Sequence, residues 1–319
     1  MAMQREEGTV IKSTGSWYQV RIPGSAEPLS CRITGKHRLG NLKLTNPVAV
    51  GDQVIVSREP DGSGMIREIR PRTNYVVRQS PRQKHQVHLL ASNVDQAILV
   101  MTIVEPNIKQ GFIDRYLLMT EPYDVPTVIV CNKADLYDED ALDILGGLIM
   151  LYEPLGYTIV VCSALDGTGL DELKAILKDK RSLISGQSGV GKSTLINALQ
   201  PGFDLRTSEL SDYSGKGQHT TTFAEMYTLA FGGEIIDTPG IKTLSYNHLT
   251  VQDVSHNFRE IFTASTDCRF GDCLHRNEPG CAVKEAVEDG RIHPLRYMNY
   301  LQILEEIENQ NYWELREDI

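Results

Sequence analysis

The sequence predicts a multidomain chain: a small N-terminal β-barrel, a central α/β phosphate-binding domain and a helical, metal-binding C-terminus. Three observations predict it. The stretch Gly186-Gln187-Ser188-Gly189-Val190-Gly191-Lys192-Ser193 fits the phosphate-cradling pattern G-x-x-x-x-G-K-[ST]. Five short strand-like segments separated by Gly, Pro, Asn or Asp occupy the first seventy residues. Cys268, Cys273, His275 and Cys281 fall within fourteen positions near the C-terminus.

The bulk properties agree. A length of 319 residues suits two or three domains, and 41% hydrophobic residues can fill sizeable cores. No apolar run reaches the roughly eighteen residues of a membrane helix, so no membrane contact is expected. The start, Met1-Ala2-Met3-Gln4-Arg5-Glu6-Glu7, lacks the apolar core of a signal peptide. Cys31, Cys131 and Cys162 stand alone, which is too sparse for a disulfide scaffold. A reducing cytoplasm is the expected location. The net charge is −10, but residues 1–84 hold 14 Lys/Arg against 7 Asp/Glu, so a head of +7 sits on a body of −17. That asymmetry suggests that the head meets a polyanion.

The head comes first. Its strand candidates are Gly8–Lys12, Trp17–Ile22, Leu29–Ile33, Gln53–Ser57 and Met65–Ile69. Five short strands in about seventy residues suit a barrel of the oligonucleotide-binding (OB) type. Trp17 and Tyr18 can stack on bases, or one of them can fill the barrel core. The connection Gly35–Asp52 carries Lys36, His37, Arg38 and Lys43, a candidate phosphate-contacting loop.

From about Pro71 the pattern becomes α/β. Asp95–Met101, Pro126–Cys131 and Thr158–Val161 read as continuous apolar strands of a buried parallel sheet. Helices are predicted over Gln110–Thr120, Ala141–Tyr152 and Leu170–Leu177. The second strand ends in Asn132-Lys133-Ala134-Asp135, of the form N-K-x-D. The Asp135 carboxylate can accept both the ring N1–H and the exocyclic amine of guanine, a donor pair that adenine lacks. Asn132 would join loops and contact N7, and the Lys133 stem would lie over the base. The third strand ends in Cys162-Ser163-Ala164, where a backbone N–H of Ser163 or Ala164 can meet guanine O6.

The phosphate loop follows, between the apolar run Ser182-Leu183-Ile184 and the helical pattern Ser193–Leu199. Its glycines let successive N–H groups point at one anion, and the helix adds its positive end. Lys192 should reach the β- and γ-phosphates, Ser193 should sit on Mg²⁺, and Thr194 lines the same turn. Next comes Gly215-Lys216-Gly217-Gln218-His219-Thr220-Thr221-Thr222, polar and glycine-rich, as in a segment ordered by the γ-phosphate. One threonine should complete the magnesium set; Thr221 is favoured, with its neighbours as alternatives. A strand over Met226–Phe231 and another from Gly233 lead to Asp237-Thr238-Pro239-Gly240. Asp237 is expected on Mg²⁺ through water, and the Gly240 N–H on the γ-phosphate.

The order of these parts is unusual, since the guanine-reading loops precede the phosphate loop. One sheet can hold them only if the domain is circularly permuted, which proteins tolerate when the original termini lie close. Permutation also sends Gly240 straight into the C-terminal region, giving the switch a covalent route through Lys242–Thr250. There the set Cys268-x4-Cys273-x-His275-x5-Cys281 reads as a closed Cys₃His zinc site of structural type. His256 and His293 fall outside that spacing and read as surface histidines. Helices are expected over Val251–Phe262 and Leu295–Glu308, followed by a polar tail, Asn309–Ile319, prone to fraying. The resulting division is 1–71 for an OB-type RNA-binding domain, 72–244 for a permuted GTPase domain and 245–319 for a zinc-binding helical domain.

A basic OB-like head, permuted motifs with Gly-Gln-Ser-Gly-Val-Gly-Lys-Ser and Asp-Thr-Pro-Gly, and a terminal Cys-x4-Cys-x-His-x5-Cys together resemble the ribosome small-subunit-dependent GTPases of the RsgA type. The resemblance spans nearly the whole chain. It implies GTP hydrolysis to GDP stimulated by the small ribosomal subunit, a role in that subunit's late maturation, and binding to 16S rRNA; a monomer is expected. Ile241 follows Gly240 where many GTPases carry a glutamine that orients water. Isoleucine cannot do so, and His219 is the candidate replacement, with a structural or rRNA-contacting role as its alternative. The competing reading is a P-loop ATPase or kinase with a zinc-bearing nucleic-acid-binding accessory, for which N-K-x-D would be coincidence.

Overall fold

The computed structural model describes residues 5–33, 46–79, 87–109, 111–203, 224–238 and 249–317, with side chains of the last helix described to residue 309. Five strands form the head: β1 (Arg5–Ser13), β2 (Tyr18–Arg21), β3 (Leu29–Ile33), β4 (Gln53–Arg58) and β5 (Gly64–Ile69). They pair in the order β1-β2-β3-β5-β4, and β4 closes back on β1. Every pairing is antiparallel except β3 with β5. Alternation turns Val10, Tyr18, Val20, Cys31, Val54, Val56 and Ile66 inward. The aromatic pair divides its roles. Tyr18 is 1% exposed in the barrel core, whereas Trp17 lies half-buried at the surface with the Arg32 guanidinium 4.0 Å over its ring.

A hairpin, β6 (Tyr75–Gln79) and β7 (Val87–Ser92), precedes the central sheet. It is absent from the strands that the sequence predicts. Its Val77, Val87 and Leu89 pack on Ala49 and Tyr123, so partners from both the barrel end and the central domain stabilise it.

The central sheet contains β8 (Gln96–Met101), β9 (Thr127–Cys131), β10 (Thr158–Val161), β11 (Arg181–Gly186), β12 (Glu225–Thr228) and β13 (Glu234–Asp237). The order is β10-β9-β8-β11-β13-β12, all parallel except β12. The phosphate-loop strand β11 is thus flanked by β8, from before it in the chain, and β13, from after it. This is the permuted arrangement that the motif order requires. Helices α1 (Phe112–Leu117) and α2 (Glu139–Tyr152) cover one face, with Tyr116 and Leu145 against Leu99, Ile129 and Leu183. Helices α3 (Leu170–Leu177) and α4 (Lys192–Leu199) cover the other, with Leu173, Leu177, Leu195 and Ile196 against Ile98, Val130 and Ile184. Both faces are buried, hence the unbroken apolar runs. The strand predicted to reach Phe231 ends at Thr228, because Gly232 and Gly233 turn the chain with positive φ.

The C-terminal region is helical, with α5 (Val251–His256), α6 (Arg259–Ser265), α7 (Ala282–Glu288) and α8 (Pro294–Glu317). The single helix predicted over Val251–Phe262 is two. Asn257 Nδ2 donates to Asp253 O at 2.7 Å and caps α5, while Phe258 is extended and fully buried against Tyr300. Helix α8 continues through the stretch expected to fray, since Pro294 opens it and neither Gly nor Pro interrupts it. Arg296, 2% exposed, fastens α8 to the central domain: it contacts Asp114 of α1 and Glu260 of α6, and its guanidinium lies 4.4 Å over Phe258. Among the described residues, no helix is long and apolar enough to cross a membrane.

Candidate functional site

The guanine and phosphate motifs converge at the carboxyl ends of β8, β9, β10, β11 and β13, where open α/β sheets bind ligands. Gly186 ends β11 so tightly that a Cβ there would lie 2.2 Å from Val100 O. Gln187, Ser188 and Gly189 arch outward, Val190 points into the core at 1% exposure, and Gly191 caps α4 with φ +85°. Ser193 and Thr194 follow in the first turn of α4, Ser193 half-buried and Thr194 exposed. Lys192 Nζ donates to Gly186 O at 3.2 Å and Gln187 O at 3.3 Å, spanning the loop it belongs to. Burial lowers the Lys192 pKa, and the nearby Asp237 carboxylate partly opposes that. Asp237 itself is 4% exposed at the end of β13, in register with Ile184 beside the loop. Thr238 Oγ1 donates to Ile184 O at 3.1 Å.

Asn132 is the keystone between the two halves. Its Nδ2 donates to Val190 O of the phosphate loop at 2.9 Å, and its Oδ1 accepts from Ala164 N–H at 3.2 Å. A Cβ at Gly191 would lie 2.6 Å from Asn132 Nδ2, so glycine is needed for the approach. Asp135 is exposed, and its Oδ1 accepts from the Ser163 hydroxyl at 2.5 Å, which aims the carboxylate. The Ala164 N–H is already given to Asn132, so a base carbonyl there would share that donor. Lys133 takes a left-handed conformation, φ 65°, and its Nζ donates to Glu105 O.

The sequence missed the loop after β8 as part of this site. Thr102 Oγ1 donates to Pro106 O at 2.7 Å, and Pro106 lies against Gly189. Tyr137 OH donates to Asn132 O at 2.8 Å and accepts from Ile103 N–H at 3.3 Å, tying N-K-x-D to the same loop. Its position after a buried parallel strand was the available signal. His219, Thr221 and Gly240 lie outside the described residues, as do Ile241 and the basic positions Lys36, His37, Arg38 and Lys43.

Cys268, Cys273, His275 and Cys281 bring their ligand atoms within 4.8 Å of one another. His275 presents Nδ1 to Cys268 Sγ at 3.6 Å and Cys281 Sγ at 3.5 Å, while Ser255 Oγ lies 3.4 Å from its Nε2. A tetrahedral ion with Zn–S bonds of about 2.3 Å separates its ligands by about 3.8 Å, so this cluster could hold such an ion. Burial pushes the Cys273 and Cys281 thiols up and His275 down, which keeps the imidazole neutral and leaves thiolates to be stabilised by a cation. Tyr297 OH donates to His275 O, and Glu278 accepts from Leu274 N–H at 2.9 Å and Arg276 N–H at 2.7 Å, which shapes the knuckle. His256 and His293 are exposed and apart from it; His293 Nδ1 accepts from Leu295 N–H at 3.1 Å at the start of α8.

The basic head is partly neutralised. Arg21, Arg58, Arg67, Arg70 and Arg72 each contact a carboxylate. A polar cavity of about 440 Å³, lined by Asn93, Asp95, Asp179, Lys180, Arg181, Gly233 and Glu234, lies at the amino ends of the strands, opposite the motifs.

Comparison with known proteins gives the same picture. Residues 69–247 match the family described as RsgA GTPase, and residues 7–66 match the RsgA N-terminal domain. The chain is 48% identical over 306 residues to a small ribosomal subunit biogenesis GTPase RsgA of Bacteroides fragilis, covering 96% of this chain and 98% of the relative. A protein of the same name from Porphyromonas gingivalis is 45% identical over 311 residues, with coverage of 96% and 98%. Among solved structures, YjeQ from Thermotoga maritima superposes with a TM-score of 0.76 at 38% identity, covering 95% of this chain and 99% of that one. YloQ, described as a circularly permuted GTPase, gives 0.72 at 32% identity and covers 96% of each chain.

Proposed function

The chain belongs to the RsgA GTPase family, and from that premise we infer that it hydrolyses GTP to GDP and phosphate in the late maturation of the small ribosomal subunit. One observation carries the nucleotide assignment: the Asn132 side chain bonds the phosphate loop and the Ser163-Ala164 loop at once. That contact argues against N-K-x-D as a coincidence on a P-loop ATPase or kinase.

In this reading Asp135, aimed by Ser163, pairs with the guanine edge, and the Lys133 stem and the Ala164 N–H flank the base. Gly186, Gln187, Ser188, Gly189, Val190 and Gly191 wrap the phosphates with backbone N–H groups, supported by Lys192 and the first turn of α4 through Ser193 and Thr194. Ser193, Thr221 and Asp237 would hold Mg²⁺, which neutralises phosphate charge when bound; the burial of Asp237 beside Lys192 fits a site that expects a cation and an anion together. Gly240 would meet the γ-phosphate. Because Ile241 cannot orient water, His219 takes that part, in a loop completed by the partner. Cys268, Cys273, His275 and Cys281 hold one structural Zn²⁺, and thiolate-rich donors suit that ion.

The division at residues 71 and 244 is supported by the barrel's last strand, which ends at Ile69, and by α5, which starts at Val251. The barrel binds 16S rRNA, with Trp17 and Arg32 as a surface stacking pair. The chain acts as a cytoplasmic monomer without membrane contact.

Hydrolysis by the purified protein should be compared with and without small ribosomal subunits. Stimulation is expected, and equal rates would overturn the ribosomal reading. In a competition assay GDP should displace a fluorescent GDP analogue where ADP does not, and Asp135→Asn should shift preference toward xanthine; unchanged selectivity would remove the guanine assignment.

A further inference from the structure

The two segments proposed to meet the γ-phosphate are joined in the chain by one hairpin, and the barrel holds that hairpin. Strand β12 starts at Glu225, just after the stretch that carries Thr221, and β13 ends on Asp237. Lys12 of β1 stands in register with Glu225, with Nζ 2.7 Å from its carboxylate. The Ser13 N–H donates to Ala224 O at 3.4 Å. Arg21 of β2 donates to Thr228 Oγ1 at 3.2 Å and contacts the Glu234 carboxylate.

Glu234 is claimed from the other side as well. Arg181, the first residue of the phosphate-loop strand, donates Nε to Glu234 Oε2 at 2.9 Å. Its NH1 reaches Gly51 O of the barrel at 3.4 Å and Asn93 O at 3.2 Å. Glu234 therefore receives one guanidinium from the barrel and one from β11. Between Glu234 and Asp237 the strand spans only about 10 Å of extended chain, which has no slack to absorb a shift.

The helical tail is placed differently. Its clamps, Arg296 to Asp114, Arg259 to Glu121 and Arg115 with Glu306, fall on α1 and the turn after it. None of them touches the hairpin. The two arms on Glu234 also differ in access. The Arg21 side chain is 39% exposed and the Arg181 side chain 16%. A phosphate arriving at the barrel can compete for Arg21 but not for Arg181.

We propose that Glu234 is a positioning residue for hydrolysis: a polyanion bound to the barrel draws Arg21 from Glu234, and the released β13 reseats Asp237 at the γ-phosphate site. The proposal rests on the reading that the barrel binds rRNA and that the small subunit stimulates hydrolysis. It makes the barrel, through a noncovalent joint, a route from the partner to the catalytic end of the sheet, separate from the covalent one through residues 242–250.

The test uses full-length protein with purified small subunits at saturating concentration. Arg21→Gln should lower the factor by which subunits stimulate kcat, by between about five- and 150-fold, as expected for a typical coupling energy. KM for GTP should stay within about twofold, and Arg21→Lys should retain most of the effect. Glu225→Lys should also lower stimulation, and adding Lys12→Glu should restore it, which a direct rRNA contact by Lys12 would not allow. Independently of ribosomes, hydrogen exchange at the Ile235–Asp237 amides should speed up in Arg21→Gln. Stimulation and exchange both equal to those of the unmodified protein would overturn the joint. If the unmodified protein is not stimulated at all, the ribosomal reading falls, and β13 exchange alone still decides whether Arg21 seats the strand.

Discussion

Removing the Asn132 amide should weaken all guanine nucleotides together rather than change selectivity among bases. The amide is 1% exposed and makes two hydrogen bonds to backbone, to Val190 O and from Ala164 N–H, besides accepting a weak one from the Cys162 thiol at 3.7 Å. In Asn132→Ala both partners lose their bond, and each bond contributes about 0.5–1.5 kcal/mol net. The two loops then hold their relative position less tightly, by about 1–3 kcal/mol in all. If binding must restore that geometry, affinity falls by about five- to 150-fold. GDP and GTP should suffer equally, because both use the same base and the same loop. Asn132→Asp should be worse than alanine, since a carboxylate oxygen would face Val190 O where a donor now stands. Titration with a fluorescent GDP analogue, repeated with GTP and ADP as competitors, measures this. An unchanged affinity, or a loss of guanine selectivity with affinity retained, would refute the view that Asn132 acts by joining the loops.

Cys273→Ala should release the metal and loosen the tail while GDP binding persists, because the cluster and the nucleotide loops are separate; metal analysis that finds no zinc in the unmodified protein would contradict this. Arg296→Met should destabilise the tail by about 3–5 kcal/mol, since Asp114 and Glu260 would remain buried without their cation, and a loss below about 1 kcal/mol in urea unfolding followed by zinc release would refute it. His88 is held at a pKa of about 4, down from 6.5, by burial and by Arg78 across the hairpin. The unfolded chain therefore takes up the extra proton between these values, so stability is full above about pH 6.5 and falls as the pH drops toward 4, by about 3 kcal/mol. His88→Gln should remove that part of the pH dependence of thermal unfolding.

Much of the fold was legible because its signals are local. Strands β8, β9 and β10 are buried on both faces and so carry unbroken apolar runs, and β9 and β10 each end in a motif that marks the carboxyl end. The barrel strands alternate because one face is wet. Where the reading failed, the deciding partner lay far along the chain. The β6–β7 hairpin has apolar residues but depends on Ala49 and Tyr123 to bury them. The break between α5 and α6 follows from Phe258, which leaves the helix to pack on Tyr300 in α8. In the site, Tyr137 and the Thr102–Pro106 loop went unrecognised, because Tyr137 acts by holding Asn132 and the loop by backing Tyr137 and Gly189, and neither belongs to a phosphate or base motif.

The sequence by itself determined the chemistry: a phosphate cradle, a guanine-reading carboxylate, a four-ligand metal set and the permuted order that joins them. Each is a matter of residue types at short spacing, and a glycine, lysine or cysteine brings its geometry or charge wherever the chain goes. Only the tertiary structure decided how these parts are coupled. It turned Tyr18 inward and left Trp17 at the surface, buried Arg296 between two carboxylates, and placed Arg21 and Arg181 on the one Glu234. Arg21 and Glu234 stand 213 positions apart. No local pattern announces such a pair, because the two side chains meet only once the barrel and the sheet have packed.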